Sequence, residues 1–457
     1  MSIIYRLKQS VPCSLLFLAA CSSMPEQPDY SSRVDQDIQE VTTWSQPSNA
    51  QAKSYLNELI NSEELNTLLV AALEANPNLQ QTLLTLKIRR AQTRQTRANQ
   101  LPDIEAGYSA SKSEESDSSY KGSVSVNWQV DLWQKLENNT SAANKDAEQQ
   151  LALFKSARDS LGAEVIKSWL GLIAQTRTLE IEQERLTTLQ KNEEFILQRY
   201  KNGLGSLEDL DSARSSVAST KAKIEENKET LAQQQRALNT LLGRTQQLSI
   251  NIEKTYPAVI VPLADLPEQT LQRRPDLKAA YLAIQAEEFR TQVAYKDMLP
   301  SINLSATLTD MATSPTSALL SGPIWSLLAQ LTAPIYKGGE LKAAAEISEL
   351  ETAYQYQVYR ETLLTAVNEV EDALGQEQSL TVQQKYITSA LNSARNTLIQ
   401  YQNSYRTGLV DILDLLNVQQ QTYDLESQLN TIIYSRLSNR VVLGLALGLP
   451  INKESEV

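Results

Sequence analysis

The chain has 457 residues, of which 41% are hydrophobic and 21% are charged. This length and composition exclude a disordered chain and predict one large or two ordinary domains. Lysine and arginine number 42 against 54 aspartate and glutamate residues, for a net charge of −12, which disfavours nucleic-acid binding because the chain repels phosphate backbones. Histidine is absent and only two cysteines are present, so we expect neither an enzyme nor a bound metal or cofactor.

The first 20 residues have the pattern of an export signal. A basic start precedes an apolar stretch at 11–20, and Cys21 follows small residues in the string Leu-Ala-Ala-Cys. The string resembles a bacterial lipobox, in which the cysteine is acylated after cleavage, and by the same resemblance Ser22 favours transfer to the outer membrane. An ordinary signal peptide or an uncleaved anchor is the alternative. One lipid-modified residue is a modest anchor, so a second membrane contact is expected.

Four segments alternate apolar and polar side chains with a period of two, which is typical of β-strands with one apolar face. The alternation covers 104–111, 123–132, 301–309 and 325–335. Each segment has about the length of a tilted membrane strand, roughly 9 to 11 residues. The strands form two hairpins, and the first hairpin has a polar loop at 111–122.

The two faces of these strands favour a membrane barrel. The apolar face carries three aromatic residues that we expect at the membrane interfaces, Tyr108, Trp128 and Trp325. The opposite face is mostly uncharged Ser, Thr, Asn and Gln, as in a water-filled lumen. The alternative is two hairpins of a soluble α+β domain whose apolar faces pack on helices. Because four strands do not close a conducting barrel and an open edge cannot face lipid, several chains are expected to share it.

The same landmarks occur twice in the chain, roughly 200 residues apart, well above the repeat length of a solenoid. They are Asn76-Pro-Asn-Leu and Arg274-Pro-Asp-Leu, Leu101-Pro and Leu299-Pro, Tyr200-Lys-Asn-Gly and Tyr405-Arg-Thr-Gly, and Leu241-Leu-Gly and Ala446-Leu-Gly. They predict two structural repeats, 61–243 with its hairpin at 103–132 and 271–448 with its hairpin at 301–336. The remaining predicted segments are a signal peptide at 1–20, an acylated linker at 21–60, an inter-repeat linker at 244–270 and a C-terminal tail at 449–457.

Each repeat also contains a long stretch without proline, which predicts long helices within 141–242 and 340–447. The longest of them would extend roughly 90 to 100 Å. Apolar residues recur every seven positions in two rows, Val165, Leu172, Leu179 and Leu186, and Leu210, Val217, Ile224, Leu231 and Leu238. So narrow a seam favours helices packed side by side in a wall that is wetted on both sides, and a plain antiparallel coiled coil is the alternative.

Several strings resemble a known family, the TolC-like outer-membrane efflux proteins, in their lipoprotein branch. The most specific is Leu271-Gln-Arg-Arg-Pro-Asp-Leu277, followed by Leu299-Pro-Ser-Ile. The strand-to-helix junctions at 130–135 and 333–342 and the two Tyr-x-x-Gly-Leu turns are similar too. The resemblance extends across the mature chain, although the C-terminal tail departs from the glycine-rich ending of the family.

The resemblance implies a mainly α fold with a membrane β-barrel. In a homotrimer, four strands per chain would form a 12-stranded β-barrel, and the long antiparallel helices would form a periplasmic α-barrel. It implies the outer-membrane factor of an RND-type tripartite efflux system, which passively conducts drugs or other small molecules. The partners would be a periplasmic adaptor protein, an inner-membrane pump and outer-membrane lipid. A type I protein-secretion channel and a non-conducting periplasmic coiled-coil scaffold lipoprotein are the alternatives.

The resemblance also implies a periplasmic gate where the helices converge beyond the two glycine turns. The acidic pair of the family falls on Asp414 and Asn417, and Asp411 lies one helical turn before Asp414. Three chains would present these residues as rings near the axis, and Arg406 would hold the closed state through an ion pair. The preference of a solvated helix N-terminus for carboxylates explains the acidic residues equally well.

Overall fold

The computed structural model describes residues 29–40, 44, 50–114, 116–245, 255–264 and 267–452. Cys21 and the predicted signal peptide lie outside the described residues. The described residues form two compact units, one within 1–37, 90–146 and 281–357, and the other within 38–89, 147–280 and 358–457. None of the helices described is both long enough and apolar enough to cross a membrane.

Two similar series of elements follow one another along the chain. A short helix α1 (Tyr30–Gln39) and a 3₁₀ turn (Leu56–Leu59) come first. The first series comprises α2 (Glu63–Ala75), α3 (Pro77–Ala98), β1 (Asp103–Ser113), β2 (Ser116–Val130), α4 (Lys135–Lys201) and α5 (Leu207–Leu241). The second comprises α6 (Pro267–Arg273), α7 (Pro275–Lys296), β3 (Ser301–Ala312), β4 (Ile324–Thr332), α8 (Glu340–Arg406) and α9 (Ile412–Ala446). The prediction of a mainly helical chain with four strands is confirmed.

The long helices have the lengths that their proline-free sequences predict. α4 and α8 contain 67 residues each, or roughly 100 Å at the rise of an α-helix. α5 and α9 follow them with 35 residues each. α4 begins at Lys135, before the predicted start at 141, because Asp131 caps it by accepting hydrogen bonds from the backbone N–H groups of Leu136 and Glu137.

The predicted heptad seam of α5 is buried in the second unit. Leu210, Val217 and Leu238 are at most 4% exposed, and the partner positions include two buried polar residues, Thr220 and Asn227. The Asn227 backbone oxygen accepts a hydrogen bond from Gln175 Nε2 at 3.1 Å. The seam is therefore polar in places, and among the described residues the buried Asn227 Nδ2 atom has no hydrogen-bond partner.

The four strands form one antiparallel sheet in the order β1-β2-β3-β4. Residues that pair directly across the ladders share a face. One such row contains Ile104, Val126, Ala306 and Leu327, and the next contains Ala106, Val124, Leu308 and Trp325. The row between these two on the opposite face contains Glu105, Ser125, Thr307 and Ser326. The register therefore collects the alternating apolar residues of all four strands on one face.

Several strand boundaries differ from the sequence prediction, and β1 and β3 extend beyond their predicted ends to Ser113 and Ala312. The predicted polar loop at 111–122 is mostly strand, because β2 begins at Ser116 and its residues 120–122 pair with β3. Backbone pairing needs no apolar side chain, so alternation does not reveal this extension. β2 ends at Val130 because the following Asp131 caps α4. β4 ends at Thr332 although the alternation continues to 335, because its ladder with β3 ends at the Ser301–Thr332 pair.

Candidate functional site: the helix turns and the two-faced sheet

The turn between α4 and α5 is closed by local hydrogen bonds. Gly203 has a positive φ of 72°, and the N–H of Leu204 donates to the Arg199 carbonyl at 2.9 Å, as in a Schellman motif. Ser206 then caps α5 in a reciprocal box with Asp209, whose N–H donates to Ser206 Oγ at 3.0 Å. This turn is therefore well defined by its own backbone and capping hydrogen bonds.

The turn between α8 and α9 repeats this design with an acidic cap. Gly408 has a φ of 77°, and the N–H of Leu409 donates to the Ser404 carbonyl at 2.9 Å. Asp411 takes the position of Ser206 as the N-cap of α9, and its carboxylate accepts from the N–H of Ile412. Asp414 lies in the first turn of α9, so both predicted gate carboxylates also stabilise a helix N-terminus.

An apolar core holds the two turns together. It is formed by buried residues of α4, α5 and α9, namely Leu189, Ile196, Leu210, Ala213, Val217, Ile412, Leu415 and Leu416. Asp411, Asp414 and Asn417 alternate with the buried α9 residues of this core and are exposed. The predicted acidic residues therefore lie on the face of α9 that points away from the core.

Arg199 is the basic residue that the structure brings next to the acidic residues of the turns. It lines an open depression of about 770 Å³ together with Asp209, Asp411 and Asp414. Its guanidinium donates to the Leu204 carbonyl at 3.0 Å and to the Tyr405 hydroxyl at 3.2 Å, and so links the two turns. The sequence contains one indication of this role: Arg199 stands at the position that Ser404 has in the second repeat.

Arg406 and Asn417, the other predicted gate residues, line different depressions. Arg406 is exposed and lines a depression with Lys191 and Arg199. Asn417 lines a third depression together with Glu182. Their role in a gate stays a prediction.

Polar contacts join residues 185–192 of α4 to residues 419–424 of α9. Arg185 donates to Asp424 at 2.6 Å, Thr188 and Tyr423 share a hydrogen bond of 2.8 Å, and Asn192 Nδ2 donates to Gln419 Oε1 at 2.6 Å. The Arg185 guanidinium also lies 5.5 Å from the centre of the Tyr423 ring, a cation–π distance. α4 and α9 are thus joined by directional polar contacts in addition to the apolar core.

The three predicted interface aromatics lie on the apolar face of the sheet, towards both of its ends. Trp128 pairs with Leu304 near the helix-side end, and its indole N–H donates to the Gln100 carbonyl at 3.0 Å. Tyr108 pairs with Gly122 nearer the hairpin loops. Gly122 and Trp128 are separated by roughly 20 Å along β2. Trp325 is 75% exposed at the loop end of β4.

The Arg-Arg-Pro-Asp-Leu string joins the start of α7 to the end of α9. Arg274 is buried and donates to the Ala446 carbonyl at 3.1 Å and to the carboxylates of Asp276 and Glu369 at 2.7 Å each. Burial by itself would lower the pKa of the Arg274 guanidinium, but the hydrogen bonds and charges of Asp276 and Glu369 outweigh it and raise that pKa. The string is therefore a structural clamp at a helix C-terminus.

Among the residues that the structure describes, no group of His, Cys, Asp or Glu side chains is arranged to hold a metal ion.

Comparison with known proteins identifies the family. The sequence model described as outer membrane efflux protein matches residues 68–244 and 266–449. The chain is similar to the cation efflux system protein CusC of Escherichia coli O6:H1, with 27% identity over 84% of this chain and 86% of that protein. It is also similar to the outer membrane protein OprJ of Pseudomonas aeruginosa, with 28% identity over 79% of this chain and 78% of that protein.

The fold is similar to that of solved proteins. A crystal structure of a membrane protein from Pseudomonas aeruginosa matches with a TM-score of 0.80 and 26% identity, covering 89% of this chain and 99% of that one. The open state of the Neisseria gonorrhoeae outer membrane channel MtrE matches with a TM-score of 0.80 over 95% of this chain and 99% of that one, at 22% identity. The chain therefore belongs to the outer membrane efflux protein family, and it is an outer-membrane efflux channel.

Proposed function

We infer that three copies of this chain form the outer-membrane channel of a tripartite efflux system. The channel conducts drugs or other small molecules passively from a periplasmic adaptor protein and an inner-membrane RND-type pump to the outside. The chain itself catalyses no reaction, since the pump supplies the energy. The pump and adaptor, outer-membrane lipid and two further copies of the chain are its partners.

The observation that carries this proposal is the four-stranded sheet with one apolar and one polar face. Every residue of β1 and of β4 is exposed, and Ile104, Trp325 and Leu327 are each at least 70% exposed. A single chain that left these apolar residues in water would expose an aggregation-prone surface. Lipid on the apolar face would cover the exposed apolar side chains. Further strands on the two edges would pair the backbone N–H and C=O groups that are open there.

The turns that follow α4 and α8 support a gate in this channel. Asp209, Asp411 and Asp414 share one depression with Arg199, so each chain presents three carboxylates and one guanidinium there. Three chains around an axis would bring nine carboxylates together, which favours cations over anions in a narrow passage. Arg406 would hold the closed state through an ion pair, while Arg199 links the two turns within one chain.

The anchor and the domain limits complete the proposal. Acylation of Cys21 after removal of residues 1–20 would tether each mature chain to the inner leaflet of the outer membrane. The mature chain then consists of the linker at 21–60, two repeats at 61–243 and 271–448 joined by 244–270, and the tail at 449–457.

Two alternatives make different predictions. A type I secretion channel would conduct an unfolded protein instead of small molecules. A non-conducting scaffold lipoprotein would have no use for an exposed apolar sheet face, so the sheet argues against it.

Deletion and complementation in the native host cell distinguish these functions. If the chain serves small-molecule efflux, a deletion mutant accumulates a fluorescent organic cation such as ethidium, and a plasmid copy restores its export. Unchanged dye accumulation together with loss of a protein from the medium would instead identify secretion. A trimer mass for the purified full chain in native mass spectrometry tests the assembly separately, and a monomer would contradict it.

A further inference from the structure

The two hairpins of the sheet are related by the internal repeat, residue by residue. Ile104 of β1 and Ile302 of β3 are repeat counterparts, because Leu101-Pro and Leu299-Pro precede them at the same distance. Ile104 pairs with Val126, and Ile302 pairs with Leu331. Val126 and Leu331 are therefore counterparts as well. The spacing in sequence between Val126 and Leu331 is also the spacing between Tyr200 and Tyr405 at the helix turns.

Within the described residues, the β2–β3 ladder is the seam between the two hairpins. In this seam Val130 pairs with Ile302, Val126 pairs with Ala306 and Val124 pairs with Leu308. The row of paired residues that begins at Ile104 passes through Val126 and reaches β3 at Ala306. Ala306 lies four residues beyond Ile302, the repeat counterpart of Ile104. Closure of a barrel fixes only the total stagger around it. Because the two hairpins are repeats of one another, we expect the next seam to have the same stagger as the β2–β3 seam.

We propose that β4 pairs antiparallel with β1 of a neighbouring copy in the register of the β2–β3 seam. Under the repeat relation, Ala329 then faces Ala110 of the neighbouring copy, Leu331 faces its Tyr108 and Ile335 faces its Ile104. Residues 333–335 join β4 in this assembly. The proposal rests on the trimer of the proposed function and adds to it the register of the subunit seam.

The early end of β4 is the first observation that supports this register. β2 extends to Val130, the counterpart of Ile335, because β3 pairs with it that far. In the single chain β4 ends three residues earlier, at Thr332. Ile335 is 95% exposed there, whereas Val130 is partly buried. β4 thus ends early at the place where its repeat counterpart pairs with β3, whereas no described strand pairs with the outer edge of β4.

The faces of the strands agree with the same register. Ala329, Leu331 and Ile335 belong to the apolar alternation of β4, and the neighbouring Tyr108 and Ile104 belong to that of β1. The seam therefore continues the apolar face from one chain to the next, whereas a slip by one residue would turn it inward. Pro334 has no N–H to donate, but successive residues of a strand turn their N–H groups to opposite sides. The seam therefore loses no donor when Ala333 and Ile335 are the residues that face the neighbour.

Cysteine cross-linking tests the register in the full chain. Ala329→Cys combined with Ala110→Cys places the two Cβ atoms about 4.5–5.5 Å apart across the seam, close enough for a direct disulfide after a small shift of the backbone. Three cross-links would close the ring into a covalent trimer that reductant separates. The matched controls combine Ala329→Cys with Tyr108→Cys or with Lys112→Cys. These are slips by two residues that keep the faces but place the Cβ atoms about 7–8 Å apart.

The outcomes separate the register from the assembly. Covalent trimer from the Ala110 pair alone supports the proposal. Cross-linking only in one of the slipped pairs, or an intact trimer that no pair cross-links, overturns the register and leaves the trimer standing. A monomer mass for the unsubstituted chain overturns both.

A second variant measures the contribution of the extended strand. Ile335→Asn should make the trimer dissociate at a lower temperature on unboiled gels. Leu319→Asn makes the same replacement of an apolar side chain by an amide, at a residue that is 66% exposed in the β3–β4 loop. It should leave the dissociation temperature unchanged. Equal effects of the two variants would contradict the role of Ile335 in the seam.

Discussion

Asn76 donates a hydrogen bond from its Nδ2 atom to the carbonyl oxygen of Leu241, 2.9 Å away, and so satisfies the C-terminal end of α5. Its Oδ1 atom accepts from the N–H of Leu79 at 3.0 Å and caps α3. In the second repeat, Arg274 makes the matching bond to Ala446. Two different side chains thus serve the same junction, which explains why the string Asn-Pro-Asn-Leu returns as Arg-Pro-Asp-Leu.

Asn76→Ala should lower the free energy of unfolding by about 1–2 kcal/mol, because it removes a helix cap and leaves a carbonyl unsatisfied. The measurement is the thermal midpoint of the helical circular dichroism signal in detergent. Asn78→Ala changes an exposed neighbour in the same helix and should leave the midpoint within error. Equal midpoints for both variants would contradict the role of Asn76.

Gly243 and Gly203 both have positive φ angles, 66° and 72°, but different surroundings. A Cβ on Gly243 would lie 2.2 Å from the Ala75 carbonyl oxygen, whereas a Cβ on Gly203 would meet nothing within 4 Å. Gly203→Ala should therefore cost only the strain of a left-handed residue, about 1–2 kcal/mol. Gly243→Ala should cost about 1–3 kcal/mol more, since the backbone must move. If Gly243→Ala and Gly203→Ala lose folded protein equally on heating, the α2 backbone moves away from the added Cβ at little cost and the prediction is wrong.

Glu377 is the shared partner of two arginines in the second unit. It is 4% exposed, and its Oε1 atom accepts from Arg440 Nη2 at 2.9 Å and from Arg436 Nε at 3.1 Å. Glu377→Ala removes the carboxylate from two poorly hydrated guanidinium groups, which keep only neutral partners in Gln384 and the Val259 carbonyl, and should cost about 3–5 kcal/mol.

The matched control is Glu225→Ala, which breaks an exposed pair with Lys228 and should have no measurable effect on the thermal midpoint. If Glu377→Ala also unfolds at the unsubstituted midpoint, the Glu377 cluster does not stabilise the fold.

Substitutions at Asp411 and Asp414 should affect two different properties, the stability of the turn and the ion selectivity of the channel. Asp411 is the N-cap of α9, so Asp411→Ala should destabilise the turn by about 1 kcal/mol. Asp411→Ser keeps a capping side chain and should restore stability, but not the lost charge. Asp414→Asn should keep the fold and reduce cation preference, read as a smaller reversal potential in a salt gradient. An unchanged reversal potential for Asp414→Asn would place the carboxylate outside the passage.

The sequence predicts the parts of this fold that depend on periodic burial. The seven-residue row of Leu210 and Val217 and the alternation of Ile104 and Ala106 each record which side of the backbone meets an apolar neighbour. It does not predict the start of β2, because the Ser-rich segment from Ser116 pairs through its backbone and its side chains carry no apolar pattern.

The candidate site is predictable to a smaller extent. The glycine turns and the acidic residues beside them follow from local chemistry, so Asp411 and Asp414 are found from sequence. The linking role of Arg199 depends on its proximity to Tyr405, which is 206 positions away in the chain. Local pattern therefore does not reveal the contact of Arg199 with Tyr405.

Planar-bilayer recording of the purified full chain tests the central claim of an outer-membrane channel with acidic turns most directly. The unsubstituted protein should show discrete, small, cation-preferring openings, and Asp414→Ala should show openings with weaker cation preference. If neither protein shows any opening at any applied voltage, the chain is not a conducting channel.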